Sequence, residues 1–217
     1  MNSDDERYEF YVARYPFSRG VRAAYRGKLK KEGSGNWLDC VLKEFIYPPD
    51  LTLVEYMNQS EKSAVAKYLR DEYQKTHRLH KSMRVLPSRI LKLTERDGSE
   101  TLYNIEEFLS GTFDKWLTTN GRVICKMNTD LLSFKTWSHD ATKGFFMVTD
   151  FQGVEDTDSI MLTDPAVLCK DKSRSGPTNV NDAQMIICLE AVGVSAEGGG
   201  GHCFRLLVTC IHRTQQW

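Results

Sequence analysis

The segment from Gly144 to Pro165 limits the possible folds of this chain more than any other part of it. Phe145–Val148 is a short apolar run that ends in a polar turn, which is typical of a buried β-strand. Asp150 and Gln152 follow directly, and a second carboxylate, Asp164, comes after an acidic loop. The segment therefore predicts a buried strand with two carboxylates and one amide on the turns beside it.

This group of side chains allows more than one chemical interpretation. Carboxylate and amide oxygens on fixed loops are suitable ligands for Mg²⁺. A carboxylate at the tip of a loop can also orient a hydroxyl nucleophile or accept its proton. Asp is common at turns, however, and Asp150 and Asp164 could serve only as turn caps. The spacing alone does not decide between these interpretations.

Length and charge exclude several classes of protein. The chain has 217 residues, enough for one large domain or two small lobes around a core. Its 29 Lys and Arg residues balance its 29 Asp and Glu residues, so no global basic field indicates nucleic acid as a partner. The acidic start is unlike a secretory signal, and no apolar run approaches the roughly 20 residues of a membrane span. We expect a cytoplasmic protein that binds neither nucleic acid nor membrane, with its six cysteines reduced.

Two basic features in the first half are candidate phosphate ligands. Gly20 lies between two extended runs beside Arg19 and Arg22, where backbone N–H groups and a guanidinium could hold anionic oxygens. The alternative is a glycine turn with solvated arginines. Lys43 lies inside the otherwise apolar predicted strand Trp37–Phe45, and a buried lysine is costly unless it is paired. Lys43 could instead lie on the exposed face of an edge strand.

The clearest predicted helix runs from Ser60 to Leu79. Ser60 is a suitable N-cap, and Val65, Leu69 and Tyr73 recur every four residues on one face. This spacing predicts an amphipathic helix with that face toward the core.

Two strands, Arg84–Thr94 and Thr101–Phe108, are predicted next, and Asp97-Gly98 between them is a strong hairpin signal. The second strand leads to Gly111, which marks the passage into the second half of the chain. A strand that ends at such a hinge offers backbone groups to a flat aromatic ligand, although nothing in the residues requires one.

The order of several short segments along the chain is more informative than any one of them. They are Pro16-Phe17 with Gly20–Arg22; Val41–Phe45; Ile105–Gly111 with Phe113–Trp116; Ser133–Val154, which includes Asp150–Val154; Leu162–Pro165; and Gly176–Val180. In this order, with Asp-x-Gln-Gly followed by Thr-Asp-Pro, the chain from about residue 15 to 179 resembles the alpha-kinases. These are the atypical protein kinases that include myosin heavy chain kinase and elongation factor 2 kinase. The His-Arg-Asp, Asp-Phe-Gly and Ala-Pro-Glu signatures of other protein kinases are absent.

The resemblance implies a two-lobed α+β fold of the protein-kinase type, with ATP in the cleft between the lobes. It implies an N-lobe at about residues 11–108, a C-lobe at about 109–190 and an atypical tail at 191–217. The implied activity is that of a Ser/Thr protein kinase, which transfers the γ-phosphate of Mg-ATP to a hydroxyl of a protein substrate whose identity the sequence does not give.

The resemblance also implies roles for single residues. Lys43 would contact the ATP phosphates, and Arg22 would help to hold them. Glu106 and its neighbours would form the hinge beside adenine. The physical requirements of phosphoryl transfer agree with these roles, since the reaction depends on placement and on neutralisation of charge.

The acidic segment would supply the remaining groups of the site. By the same resemblance, Gln152 and Asp164 would hold Mg²⁺. Asp164 would also position or deprotonate the Ser/Thr hydroxyl, and Asp150 would be a further carboxylate of the site.

The chain departs from the family at the expected zinc site. Family members usually bind a structural zinc in the C-lobe, but Thr136 occupies the position of the first histidine, and His139 is three residues late. The expected second group of ligands is missing near residues 192–198. Four zinc-type residues follow in the tail with a different spacing: His202, Cys203, Cys210 and His212. They could still bind a metal. The alternative function is therefore a degenerate kinase, a pseudokinase that acts as a nucleotide-binding or interaction module.

Overall fold

The computed structural model describes residues 8–46, 52–94, 97–125, 128–171, 174 and 185–189. Within this part of the chain the strands are β1 (Tyr8–Val12), β2 (Ser18–Arg19), β3 (Arg22–Lys31), β4 (Leu38–Phe45), β5 (Ser82–Val85), β6 (Arg89–Thr94), β7 (Glu100–Glu107), β8 (Phe113–Lys115), β9 (Phe146–Thr149), β10 (Gln152–Glu155), β11 (Ser159–Leu162) and β12 (Ala166–Cys169). The two long helices are α1 (Leu53–Thr76) and α2 (Thr129–Ala141). Among these residues no helix is both long and apolar enough to cross a membrane.

A six-stranded antiparallel sheet has the order β1-β3-β4-β7-β6, and β2 pairs with β3 near the start of that strand. The predicted strands at 37–45 and 101–108 are confirmed as β4 and β7, and the hairpin at Asp97-Gly98 joins β6 to β7. Lys43 lies on β4 between Ala24 of β3 and Asn104 of β7. It is therefore on an interior strand, and the edge-strand alternative is wrong.

The two faces of this sheet have different roles because side chains alternate along each strand. One face presents Cys40, Leu42 and Ile105, which form a small apolar cluster. The opposite face presents Lys43 and its neighbours in register, and α1 packs on part of it, where the Asn104 side chain donates a hydrogen bond to the Tyr56 carbonyl oxygen at 3.1 Å. This second face forms one wall of the site described below.

The predicted strand from Arg84 to Thr94 is wrong as a single element, because the chain forms two strands there. β5 pairs in parallel with β11 in a four-stranded sheet of order β5-β11-β10-β8, whereas β6 belongs to the six-stranded sheet. Pro87 lies between them and has no N–H to donate to a sheet. The division of the chain near residue 109 stays a prediction, since β5 pairs with a strand from the second half.

The helix predicted from Ser60 exists but begins earlier, at Leu53. Thr52 is the N-cap, and its side chain and that of Glu55 form a reciprocal capping box. Ser60 is therefore an interior residue of α1, and its prediction as the cap is wrong. The predicted buried face is confirmed, since Leu69 and Tyr73 are in the core.

The main core lies between α1, α2 and strands of the two smaller sheets, and it fixes the turn after β9. Phe151, which follows Asp150, is fully buried and stacks on Phe134 of α2 with ring centroids 5.9 Å apart. Tyr73 of α1 packs on the same Phe134 at 5.4 Å. Burial of a Phe side chain stabilises the fold by about 1.5–3 kcal/mol, so Phe151 anchors the backbone between Asp150 and Gln152.

Candidate active site

A cleft of about 480 Å³ lies against the polar face of the six-stranded sheet. Five of the residues predicted from the sequence line it: Arg22, Lys43, Glu106, Gln152 and Asp164. The first three come from neighbouring strands of the sheet, and the last two come from β10 and from the turn after β11. The fold thus brings together residues that are separated by up to 142 positions in the chain.

Lys43 is the central cation of the cleft. Its Nζ lies 2.7 Å from Glu106 Oε2 and 3.0 Å from Thr163 Oγ1. The side chain of Lys43 is 10% exposed and that of Glu106 only 1%, so the Glu106 charge depends on Lys43 for compensation. Glu106 was expected at the adenine hinge, but its side chain pairs with Lys43 instead. Thr163 also donates a short hydrogen bond to Glu106. The prediction that a lysine inside an apolar strand must be paired is confirmed.

Asp164 accepts hydrogen bonds from three different elements. Arg22 of β3 makes a short ion pair with it, Lys43 Nζ lies 3.2 Å away, and Gln59 Nε2 of α1 donates at 2.9 Å. Burial alone would raise the pKa of Asp164, but the charges of Lys43 and Arg22 outweigh burial and hold this pKa well below its usual range. Asp164 is therefore ionised at neutral pH. Its contacts with three other elements are more than a residue that only caps a turn would make.

Asp150 occupies a separate position, and it does not line the cleft. Its carboxylate lies 2.6 Å from Lys115 Nζ and accepts a hydrogen bond from Thr119 Oγ1 at 3.1 Å. The structure therefore places Asp150 beside the cleft, one residue away from Phe151 and two from Gln152.

The backbone at both carboxylates is strained. Asp150 has φ of 59° and Asp164 has φ of 56°, a region that costs a non-glycine residue on the order of 1–3 kcal/mol. Such strain is frequent at functional sites. Gly153 of the Asp-x-Gln-Gly segment has φ of 153°, and a Cβ there would lie 1.8 Å from the Met161 carbonyl oxygen. Only glycine permits this approach of β10 to β11.

The far end of the cleft is lined by the strand end that the sequence predicted as a hinge. Glu107, Phe108 and Leu109 line it, and the Phe108 N–H donates to the Asp39 carbonyl oxygen at 3.1 Å. The guanidinium of Arg26 lies 3.8 Å from the centroid of the Phe108 ring. Phe17 and Phe113 also line the cleft, so aromatic side chains contribute to its walls.

The residues present fit Mg²⁺ with ATP, but they do not form a metal cage by themselves. Among the described residues, no group of three or more His, Cys, Asp or Glu side chains could hold a metal ion. Mg²⁺ is usually held by one or two carboxylates together with phosphates and water, and it does not need such a cage. Asp164 and Gln152 both line the cleft and offer hard oxygen atoms.

The first zinc position shows no metal-binding chemistry. The hydroxyl of Thr136 donates to the Leu132 carbonyl oxygen at 3.3 Å, and His139 Nδ1 lies 3.0 Å from Asp140 Oδ1. The adjacent Lys135 is fully buried and donates to the Cys188 carbonyl oxygen. The tail residues His202, Cys203, Cys210 and His212 lie outside the described residues.

Several polar residues in or beside the site have no role assigned from the sequence, among them Gln59, Lys62, Lys115, Thr119 and Thr163. Lys115 and Thr163 belong to segments that were noted for their order, so their motifs already contained a signal. Gln59 and Lys62 lie on α1 without such a motif. Extending the buried stripe back from Ala66 in steps of three or four residues would have reached both of them.

The comparison with known protein families identifies the family. The model of the alpha-kinase family matches residues 18–187.

The chain belongs to the alpha-kinase family.

The relatives include the alpha-protein kinase vwkA of Dictyostelium discoideum, which is 28% identical over 181 residues. That match covers 81% of this chain but only 28% of vwkA, so the chain spans under a third of that protein. The human transient receptor potential cation channel subfamily M member 7 is 34% identical over 88 residues, which is 37% of this chain and 4% of the channel.

Solved alpha-kinase structures share the fold. The alpha-kinase domain of myosin-II heavy chain kinase A in complex with AMP-PNP superposes with a TM-score of 0.72 at 21% identity, covering 85% of this chain and 84% of that chain. An alpha kinase from Entamoeba histolytica superposes with a TM-score of 0.72 at 22% identity, covering 84% of this chain and 74% of that one. The predicted α+β, kinase-like fold is therefore confirmed.

Proposed function

We propose that this alpha-kinase chain transfers the γ-phosphate of Mg-ATP to a Ser or Thr hydroxyl of a protein substrate. The observation that supports this most strongly is the group formed by Lys43, Glu106, Asp164 and Arg22 in one cleft. It places two cations within hydrogen-bond distance of one ionised carboxylate, Asp164. Phosphoryl transfer requires these parts, namely positive charge for the phosphates and an oxygen ligand for Mg²⁺.

The nucleotide would lie along the polar face of the six-stranded sheet. The base would rest against residues 107–109, which line the cleft together with Phe113. Lys43 would contact the phosphates while Glu106 holds its side chain extended, and Arg22 would bind them from the start of β3. Solved relatives in complex with AMP-PNP, ADP and AMPPCP support nucleotide binding by the family.

The acidic turns would organise the reacting end of the nucleotide. Asp164 and Gln152 would hold Mg²⁺, which would neutralise charge on the phosphates. Asp164 would in addition position the acceptor hydroxyl; its lowered pKa makes it a weak base, which does not favour the expected deprotonation. Asp150, which Lys115 and Thr119 hold beside the cleft, would act as the further carboxylate that orients the acceptor.

A second candidate function is a nucleotide-binding pseudokinase. It is favoured by one observation, the hydroxyl of Thr136 where the family pattern places a zinc ligand, bonded instead to the backbone of its own helix. A pseudokinase would bind Mg-ATP in the same cleft without transferring phosphate.

Transfer of label from γ-labelled ATP distinguishes the two candidates. The native chain would be incubated with Mg²⁺ and a generic basic protein, beside Lys43→Ala and Asp164→Ala. Lys92→Ala is a matched control, because Lys92 is half exposed on β6 and pairs with Glu100 outside the cleft. We expect label on Ser or Thr with the native chain and the control, and none with the two cleft variants. Binding of Mg-ATP without transfer would refute the kinase and support the pseudokinase.

A further inference from the structure

The helix α1 presents buried polar side chains to the two acidic turns. Gln59 and Lys62 are both buried and stand three residues apart, so they share one face of the helix. Gln59 donates to Asp164 at 2.9 Å. Lys62 is only 5% exposed, which is rare for a lysine unless opposite charges lie close to it.

The charges around Lys62 are those of the proposed active site. Burial and, after it, the charge of Arg22 lower the pKa of Lys62 to about 8, against the opposing charges of Asp164 and Asp150. Because Lys62 is buried on the same helix face as Gln59, which donates to Asp164, its ammonium lies in the field of these carboxylates. The residues that carry charge in this region come from α1, β3, β4, β7, β8 and the turns after β9 and β11: Lys62, Arg22, Lys43, Glu106, Lys115, Asp150 and Asp164.

Lys62 differs from the other cations near Asp164 in its access to the cleft. Arg22 and Lys43 line the cleft, and both would be drawn toward the phosphates of a bound nucleotide. Lys62 does not line the cleft and comes from the helix behind the carboxylates. It cannot exchange a carboxylate for a phosphate.

We propose that Lys62 is a positioning residue, the fixed counter-ion that holds the carboxylates of Asp164 and Asp150 in place after Arg22 and Lys43 engage the nucleotide. This inference rests on the proposed function of the cleft. It predicts two effects of Lys62 that have opposite signs. Its charge weakens the attraction of Mg²⁺ to Asp164, and the same charge keeps the carboxylates in the geometry that transfer needs.

Neutral replacements separate these two effects. The variants are Lys62→Met and Lys62→Gln, either of which suffices if the other does not fold, together with Lys62→Arg, which keeps the charge. The matched control is Lys67→Met, because Lys67 lies on the same helix, is half exposed and pairs only at the surface with Asp71. Two quantities are measured for each variant. The first is the affinity for Mg²⁺, titrated by calorimetry into protein saturated with AMP-PNP. The second is the kcat of label transfer from ATP.

We expect the neutral variants to bind Mg²⁺ about tenfold more tightly, because one positive charge near Asp164 has been removed. We expect their kcat to fall about tenfold or more, because the carboxylates lose a fixed charge that orients them. Lys62→Arg should keep Mg²⁺ affinity within about twofold of the native value, and Lys67→Met should change neither quantity. General damage to the site would weaken Mg²⁺ binding and transfer together.

Two results would overturn the inference in distinguishable ways. If the native protein binds Mg-AMP-PNP and transfers label, but a folded neutral variant has unchanged or weaker Mg²⁺ affinity, then Lys62 is not the counter-ion and the proposed function still stands. If the native protein binds neither nucleotide nor Mg²⁺, the proposed function fails, and the role of Lys62 fails with it.

Discussion

Replacement of Lys43 by Met should destabilise the protein even when no nucleotide is present. The substitution removes the only lysine within 4 Å of the Glu106 carboxylate among the described residues and keeps a side chain of similar length. Glu106 is 1% exposed, so water cannot replace the lost partner, and the Thr163 hydroxyl remains as its hydrogen-bond donor.

The expected magnitude follows from the burial of the pair. Breaking a buried ion pair by removing one partner costs about 3–5 kcal/mol. Glu106→Gln should cost less, about 1–2 kcal/mol, because Lys43 keeps Asp164 at 3.2 Å and Thr163 at 3.0 Å. The double variant removes both charges, so its loss should be smaller than the sum by at least about 2 kcal/mol.

The assay is a double-mutant cycle of the free energy of unfolding, measured by urea denaturation at neutral pH. The exposed pair Lys92–Glu100 provides a second cycle, with Nζ and carboxylate oxygen 2.6 Å apart and both side chains about half exposed. That pair should show a coupling below about 1 kcal/mol, because exposed ion pairs contribute little. A coupling at Lys43–Glu106 no larger than at Lys92–Glu100 would refute the conclusion that the Glu106 charge depends on Lys43.

Three further predictions concern stability. Gly153→Ala should destabilise the protein by more than about 3 kcal/mol, whereas Gly35→Ala, which meets nothing within 4 Å, should change the melting temperature little; equal effects would contradict the close approach of β10 to β11. Because the pKa of Asp164 is lowered on folding, its contribution is present above the unfolded value of about 3.9 and is lost as pH falls through the folded value. The difference in unfolding free energy between native protein and Asp164→Asn should therefore shrink below about pH 4, and a difference that is constant with pH would contradict this. By urea denaturation, Thr52→Ala should cost about 1 kcal/mol through loss of the cap, and Thr52→Ser, which keeps the capping oxygen, should cost less; equal losses would contradict a cap at Thr52.

Local patterns predicted most of the six-stranded sheet. The strand containing Lys43 was recognisable by its apolar residues, and the hairpin at Asp97-Gly98 by its turn residues, because both signals depend on neighbours in the chain. The start of α1 was misplaced because Thr52 and Glu55 form a capping box that precedes the periodic apolar face used to find the helix.

The composition of the cleft followed from the order of motifs, but its contacts did not. The sequence indicates that Lys43 needs a partner, and only the pairing of β4 with β7 shows that this partner is Glu106. Likewise, a helix pattern cannot show that Gln59 and Lys62 face Asp164, 105 positions from Gln59, since tertiary packing decides which elements meet. The positions of Asp150 and of its partner Lys115 depend on the pairing of β8 with β10, which has no local signal.

The central claim is that this cleft holds Mg-ATP with Lys43 and Asp164 at its phosphates. The most direct measurement is a crystal structure of the chain grown with AMP-PNP and Mg²⁺. The account predicts the base against residues 107–109, Lys43 Nζ within hydrogen-bond distance of a phosphate oxygen, and Mg²⁺ bound to Asp164 and Gln152. A nucleotide bound outside this cleft, or bound there with its phosphates turned away from Lys43 and Asp164, would contradict it.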